Sequence, residues 1–257
     1  MDNDDKGVGT ILTRRDAIRA AAVAGVSVVF GGTRLEAAQA GATKSVHLIA
    51  TPEVEEGPFF VEERLERIDI TTGTDRESVV KGSPLTVRMT VYALSANGAE
   101  PLKGAHVDVW HADAAGTYSD ESPGPVQDEN TKGQKWLRGY QVTDSDGKVE
   151  FHTIYPGWYH SRTLHIHVKV RTYDAKANKT HEFQTQLFFD EAVNDAMLNR
   201  PPYNDRGSRT VRNLWDGLYA MKQADGTMVG SHLHFDVGKS EDGMAREAHY
   251  SLALKLA

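Results

Sequence analysis

The 257-residue sequence contains no cysteine, no apolar run long enough to span a membrane and no excess of positive charge. Without cysteine the chain cannot form disulfides or thiolate metal sites, so any bound metal must use nitrogen or oxygen ligands. The formal net charge of −7 argues against nucleic acid or an anionic membrane surface as a partner. A membrane-spanning helix needs about 20 apolar residues, and the Ala- and Val-rich run from Ala20 to Gly32 is shorter.

The first forty residues have the features of an export signal. The pair Arg14-Arg15 precedes the run from Ala20 to Gly32, which is typical of a twin-arginine signal, and Ala38-Gln39-Ala40 matches an Ala-x-Ala cleavage site. We therefore predict a signal peptide over residues 1–40 and a mature domain over residues 41–257. The expected location is periplasmic or extracellular, with no membrane contact after cleavage. Because this route carries folded proteins, it favours a cofactor inserted before export.

Alternation of apolar and polar residues with a period of two predicts several strands in the mature chain. The clearest run is 84–93, and the runs 105–110, 183–189 and 248–256 repeat the pattern. Turn signals separate these runs, and they are Asn97-Gly98, Asp146-Gly147 and Asp225-Gly226. Many short strands with such turns predict an all-β fold, either a β-sandwich or a barrel.

Two stretches in the C-terminal third have helical patterns instead. Residues 190–199 open with Asp190, a residue type favoured at helix N-caps, which predicts a short helix. Residues 208–220 place Val211, Leu214 and Leu218 at helical spacing, so we expect a second short helix there. No internal repeat, linker or low-complexity tract follows residue 41, which indicates a single domain.

His165 and His167 are the residues with the clearest chemical content. Side chains two residues apart in a strand point to the same face, so the two imidazoles can bind one metal ion. The spacing alone does not identify a metal site, because His232 and His234 have the same spacing. The choice between the two pairs therefore depends on the neighbouring residues.

Only the first pair has an arginine and tyrosines nearby. Arg162 precedes His165 by three residues, Tyr159 by six, and Tyr118 lies further upstream. A bound cation stabilises a phenolate near neutral pH. Two histidines and two tyrosines would then form a hard, anionic ligand set suited to ferric iron.

Several longer motifs occur in a defined order along the chain. They are Glu56–Phe60, Gly104–Asp113, Gly116–Ser119, Leu137–Asp144, Phe151–Ile154 and Pro156–Tyr159, followed by Arg162–His167 and Gln184–Leu187. In these motifs the chain, from about Thr51 to Asp190, resembles the intradiol ring-cleavage dioxygenases, non-haem ferric enzymes that include catechol and protocatechuate dioxygenases. The resemblance implies an antiparallel β-sandwich, with the short helices in its C-terminal third.

The resemblance also implies the roles of individual residues. Tyr118, Tyr159, His165 and His167 match the family's metal ligands and would hold one Fe(III) per chain. Arg162, Tyr159 and Gln186 match catalytic positions, and Gly57 and Pro58, with Arg162, match positions near the substrate. The implied partners are a catecholic small molecule and O2. Tyr159 would accept a substrate proton, and Arg162 would stabilise the developing negative charge.

The implied reaction inserts both atoms of O2 into a catechol and breaks the bond between the two hydroxylated carbons, giving a cis,cis-muconate-type product. Two other classes of function fit the residues less fully. An exported, non-catalytic β-sandwich binding module would share the fold and hold no iron. A copper or Fe(II) oxygenase would use a different ligand set, with a carboxylate in the Fe(II) case. The sequence carries no signal for the oligomeric state.

Two departures from the family pattern concern the tyrosine ligand. Only five residues separate Tyr159 from His165, fewer than is usual, as in the secreted single-domain branch of the family. This short segment predicts an open iron site that accepts bulky 4-substituted catechols with weak discrimination. Tyr155 stands where the family often has arginine, so it competes with Tyr159 as a ligand. The position of Tyr159 after Pro-Gly favours Tyr159.

Overall fold

Nine β-strands in two sheets form the framework of the part of the chain that the structure describes. The structure is a computed structural model, and it describes residues 48–73, 80–239 and 246–256. The strands are β1 (Pro84–Ser95), β2 (Gly98–Pro101), β3 (His106–Trp110), β4 (Arg138–Val142), β5 (Lys148–Ile154), β6 (His165–Tyr173), β7 (Lys179–Phe188), β8 (Asp236–Lys239) and β9 (Arg246–Lys255). One α-helix, α1 (Glu191–Leu198), and short 3-10 turns lie between β7 and β8. The predicted all-β sandwich with short C-terminal helices is confirmed.

The five-stranded sheet is built around β1. One edge of β1 pairs with β9, and the other edge pairs with β5 and then with β2. β8 pairs with the far edge of β9. The pairing of β1 with β9 is parallel, whereas the others are antiparallel. This sheet is therefore mixed, which refines the purely antiparallel expectation.

The four-stranded sheet has the order β4-β3-β6-β7, and all its pairs are antiparallel. Its inner face packs on the five-stranded sheet through apolar side chains such as Val107, Ile166 and Val168. From β1 the alternate residues Leu85 and Val87 enter the same core. Each such side chain contributes about 1.5–3 kcal/mol when fully buried, so the period-two pattern fixes which face of each strand is buried.

The two helix predictions have different outcomes. The first is confirmed as α1, with Asp190 at its N-cap in an extended conformation. The second is wrong: residues 208–220 contain only a 3-10 turn, Asn213–Trp215, and Leu214 and Trp215 are exposed. The side chain of Asp216 accepts hydrogen bonds from backbone N–H groups there, and such bonds compete with a helix.

The described residues all belong to one compact unit, Lys44–Ala257. The predicted signal peptide over residues 1–40, with its cleavage site after Ala40, lies outside the described residues. No helix in the described part of the chain has the length and apolar character of a membrane span.

Candidate metal centre

The predicted histidine pair lies on β6, at the centre of the four-stranded sheet. Leu164 and Ile166 point into the core between the sheets, so His165 and His167 point to the outer face. Both imidazoles are nevertheless buried, with 2% and 0% exposure. The outer face is therefore covered at this point, and the two imidazoles are enclosed.

The neighbouring strands hold His167 in a fixed position. Trp110 on β3 and Gln186 on β7 lie directly opposite His167 in the strand register. The Trp110 ring stacks on the imidazole, with centroids 4.8 Å apart and planes 11° apart. The row Trp110–His167–Gln186 thus crosses three strands and fixes the plane of the ring.

Two tyrosines complete the cluster from loops outside the sheet. The Tyr118 hydroxyl lies 3.1 Å from His167 Nε2, and the Tyr159 hydroxyl lies 3.2 Å from His165 Nε2. The two Nε2 atoms lie 3.1 Å apart. The structure therefore brings the four predicted ligands together, with all four donor atoms converging on one point.

The loop that carries Tyr118 is held in place by contacts that the sequence analysis missed. The Gln127 side chain accepts from Tyr118 N at 2.7 Å and donates to Tyr118 O at 2.9 Å. Gly116, with φ +80°, lies so close to Trp158 O that a side chain there would collide. This close approach packs the Tyr118 loop against the segment before Tyr159. No local pattern reveals Gln127, which acts from nine residues away.

Hydrogen bonding and burial define the state of the histidines. His165 Nδ1 lies 2.6 Å from Thr163 O, so it carries the hydrogen and leaves the Nε2 lone pair facing the cluster. Burial lowers the pKa of His165 and His167 well below the usual value, so both are neutral. A neutral imidazole whose lone pair faces the cluster, as Nε2 of His165 does, is the form that binds a metal.

The side chains of Tyr118 and Tyr159 are also consistent with metal binding. Burial raises the pKa of Tyr118 well above the usual value and also raises the pKa of Tyr159, although the Arg162 charge opposes both shifts. A bound cation reverses this preference and stabilises the phenolates. No three His, Cys, Asp or Glu side chains group as a metal site within the described ranges. The donor set is therefore two imidazoles and two phenols, and these residues fit a ferric ion.

Arg162 lies beside the cluster and is held from two sides. Its Nε donates to Asp216 Oδ2 at 2.8 Å, and its Nη2 donates to Gln186 Oε1 at 2.5 Å. Gln186 Nε2 in turn donates to Glu55 O at 2.9 Å. The predicted pair Arg162 and Gln186 is thus in direct contact, and Gln186 orients the guanidinium. Asp216 is fully buried, and the sequence analysis did not identify it.

The segment with Gly57 and Pro58 covers the cluster from above the sheet. Gly57 has φ +79°, and a Cβ there would lie 3.2 Å from His167 Cε1. The next aromatic residue, Phe59, stacks on the Tyr118 ring at 4.2 Å. Arg138 donates to Phe59 O at 2.5 Å and also binds Ser119 O, which ties this segment to the Tyr118 loop. Gly57 contacts a predicted ligand, and Pro58 lies exposed beside it.

Tyr155, the alternative candidate for the tyrosine ligand, lies outside the cluster. Tyr155 donates to Asn194 Oδ1 at 2.8 Å, and its ring packs against Phe189 in the main core. Tyr159, and not Tyr155, therefore contacts the histidine pair.

The second histidine pair does not converge. His232 ends a 3-10 turn and lies 3.1 Å from the Thr227 hydroxyl. His234 binds Asp190 and the Tyr219 hydroxyl instead. His232 belongs to the 3-10 turn and His234 lies beyond it, so the two imidazoles have different partners despite their spacing.

A cleft of about 540 Å³ opens next to Arg162. It is lined by Glu55, Ser161, Arg162, Gly217, Leu218 and Met221. This volume is within the range of about 300–1,000 Å³ found for small-molecule sites. The cleft gives solvent and small molecules a route to the arginine beside the cluster.

Comparison with known proteins agrees with the β-sandwich fold. A family model described as Dioxygenase matches residues 55–238. The chain is 33% identical over 198 residues to catechol 1,2-dioxygenase 1 of Acinetobacter lwoffii, which covers 66% of this chain and 58% of that relative. The chain belongs to the intradiol ring-cleavage dioxygenase family.

Solved structures agree at the level of the fold. The intradiol ring-cleavage dioxygenase from Tetranychus urticae is similar with a TM-score of 0.66 and 31% identity, covering 81% of this chain and 95% of that one. The 3-chlorocatechol 1,2-dioxygenase from Rhodococcus opacus 1CP has a TM-score of 0.50 and 22% identity, covering 80% of this chain and 72% of that one. The second likeness concerns the fold alone. The chain spans 58% of the length of its Acinetobacter lwoffii relative.

Proposed function

We propose that the protein is an intradiol dioxygenase that holds one Fe(III) per chain and cleaves catechols between the two hydroxylated carbons. O2 supplies both inserted oxygen atoms, and the products are of the cis,cis-muconate type. The observation that carries this proposal is the convergence of two imidazole Nε2 atoms and two tyrosine hydroxyls, with neighbouring atoms 3.1–3.2 Å apart, beside a partly buried guanidinium. The relatives with catechol dioxygenase names support the same reaction class.

Tyr118, Tyr159, His165 and His167 would hold the iron. Phenolate oxygens are hard, anionic donors, and they favour the ferric state over the ferrous state. When bound, the ferric ion would supply the Lewis-acid and redox chemistry that activates a catechol ring toward O2. The remaining chemistry belongs to side chains of this chain.

Tyr159 is the residue that accepts a proton from the catechol. Its hydroxyl lies in the cluster, and the Arg162 charge opposes the rise in its pKa that burial causes. Tyr118 is more tightly held, because Gln127 binds both its backbone N–H and its carbonyl. With iron bound, Tyr159 would be a phenolate, which is the form that can accept the proton. General acid–base help of this kind contributes about 10²–10⁴-fold to rate.

Arg162 stabilises the negative charge that grows on the substrate. Its guanidinium is largely buried and has fixed partners in Asp216 and Gln186, so no reorganisation is needed during the reaction. Phe59 and Trp110 pack against the ligands and exclude water from the inner side of the site. Low local polarity strengthens the effect of the arginine.

We also propose export by the twin-arginine route, with Arg14 and Arg15 as the signal and cleavage after Ala40. The mature protein would act outside the cytoplasm on catecholic small molecules.

The visible absorption spectrum of the purified, iron-loaded protein tests the ligand set. We expect a burgundy colour with a tyrosinate-to-iron charge-transfer band near the middle of the visible range. Oxygen uptake with catechol, together with the ultraviolet spectrum of the product, tests the reaction. A colourless protein that binds no iron and consumes no oxygen would favour the binding-module alternative. Extradiol products would exclude the ferric mechanism.

A further inference from the structure

The cleft beside Arg162 has an uneven distribution of charge. Among the described residues that line it, Arg162 is the only cation, and the buried Asp216 carboxylate already pairs with it. Glu55 is exposed at the rim, and the ion pairs among the described residues leave it without a cationic partner. The Asp216 carboxylate offsets the Arg162 charge, which leaves the exposed Glu55 carboxylate as the unbalanced charge of the cleft. The cleft therefore presents a net negative charge to a molecule that enters it.

One wall of the cleft is apolar and well anchored. Leu218 is half-buried, and Met221 is 47% exposed although it is a large apolar residue. The backbone N–H groups of Leu218 and Tyr219 donate to Asp216 Oδ1 at 3.0 and 3.1 Å. Asp216 thus holds the apolar wall and Arg162 with the same carboxylate. The wall keeps a constant position relative to the arginine.

We infer that this cleft is the subsite for the ring substituent of the catechol, and that it selects uncharged, apolar substituents over carboxylates. The inference rests on the proposed function, because Arg162 marks where the ring of the substrate lies. An alkyl or aryl group at the ring position facing the cleft contacts Leu218 and Met221 and leaves water. A carboxylate at the same position lies near Glu55 and loses part of its hydration. The charge of the cleft thus adds a preference to the open pocket expected from the short Tyr159–His165 segment.

The test compares kcat/KM of the iron-loaded protein for 4-tert-butylcatechol and for protocatechuate, each divided by the value for catechol. We expect the alkyl ratio to exceed the carboxylate ratio. Met221→Ala should lower the alkyl ratio by about tenfold, the lower end of the effect of one missing apolar contact. Glu55→Gln should raise the carboxylate ratio by about fivefold, as expected for one exposed charge at short range.

Matched controls separate the cleft from general surface effects. Trp215→Ala removes an exposed apolar side chain from the same segment, outside the cleft lining. Glu53→Gln removes an exposed carboxylate two residues before Glu55, also outside the lining. Both controls should leave the two ratios within about twofold of the parent values, since isolated surface changes have small effects.

Calorimetric titration of the same two catechols into the iron-loaded protein under anaerobic conditions measures binding without turnover, because the co-substrate O2 is absent. Failure to turn over any catechol would overturn the proposed function, and the binding ratios would then decide the subsite alone. Equal or reversed ratios in the parent protein, or variants that shift the ratios no more than their controls, would overturn the inference while turnover itself persists.

Discussion

The Asp216 carboxylate binds the Arg162 guanidinium at 2.8 Å, and Asp216 has no exposed surface. Four N–H groups donate to this one carboxylate: Arg162 Nε and Thr163 N to Oδ2, and the N–H groups of Leu218 and Tyr219 to Oδ1. The position of Arg162 in the candidate site therefore depends on Asp216, which lies 54 positions away in sequence.

Replacing Asp216 by Asn should disturb this arrangement without touching the metal ligands. An amide has only one acceptor oxygen, so one pair of N–H donors would face an NH2 group. We expect kcat to fall about 10²-fold, as for a misplaced catalytic group, and the free energy of unfolding to fall by about 3–5 kcal/mol, as for a broken buried pair. The charge-transfer band should stay in place, because Asp216 is not a ligand.

Asp195→Asn is the matched control for that variant. Asp195 is 47% exposed in its ion pairs with Arg209 and Arg212, so its loss should cost less than about 1 kcal/mol. Steady-state kinetics and urea unfolding measure both variants. An Asp216→Asn protein with parental kcat would contradict the positioning role.

The Tyr159→Phe and Tyr155→Phe variants should differ in their visible absorption spectra. Tyr159→Phe removes a phenol 3.2 Å from His165 Nε2, so the charge-transfer band should shift and turnover should slow by about 10²-fold or more. Tyr155→Phe removes only the bond to Asn194, so the band should remain and stability should fall by about 1–2 kcal/mol. A spectrum that changes in the second variant and not in the first would reverse the ligand assignment.

Sequence patterns predicted the site residues whose positions follow from local spacing or from alternation along a strand. Alternation in β6 places His165 and His167 on one face, and this needs no knowledge of the rest of the fold. Asp216 and Gln127 were missed, because their contacts join segments that only the tertiary fold brings together.

The predictions about the fold that were wrong or missing have a similar physical origin. Residues 208–220 have helical spacing, yet Asp216 uses the backbone N–H groups that follow it, and the chain turns there instead. The parallel pairing of β1 with β9 was not predicted either, because alternation gives the faces of a strand and not its direction.

Variants of the two His-x-His pairs test which histidines bind the iron. Replacing His232 and His234 by Gln should leave the iron content near one per chain, because these residues bind Thr227, Asp190 and Tyr219 and do not converge. Replacing His167 by Gln should remove most of the iron, because Nε2 of His167 lies in the cluster. Metal analysis together with circular dichroism measures both. Loss of iron from the folded His232/His234 variant would contradict the choice of pair.

The export proposal predicts the fate of the precursor in a bacterial host with a twin-arginine system. Replacing Arg14 and Arg15 by Lys should retain the precursor in the cytoplasm, because the signal is recognised through this pair. Arg19→Lys, outside the pair, is the control and should be exported normally. Cell fractionation and immunoblotting measure the distribution. Normal export of the double variant would indicate another route.

His111 should make stability fall in acid. The residue is buried, with Nδ1 2.8 Å from Ala112 O and Nε2 2.7 Å from the Thr153 hydroxyl, and burial lowers its pKa from the usual 6.5 to about 4. Between these values the unfolded chain binds a proton that the folded chain does not, so the free energy of unfolding decreases as the pH falls from 6.5 toward 4. The full effect of this shift is about 3 kcal/mol.

His111→Gln should remove this part of the pH dependence, although its altered hydrogen bonds will lower stability at neutral pH as well. His152→Gln is the control, because His152 is exposed and pairs with Glu150 on the surface. Urea unfolding at pH 7, 5.5 and 4.5 measures the slope for each protein, with iron loading held constant. We expect the slope of the His111 variant to be shallower than those of the parent and of the His152 variant. An unchanged slope would show that His111 remains unprotonated in the unfolded chain or accepts a proton in the folded one, and either result would contradict the assigned effect of burial.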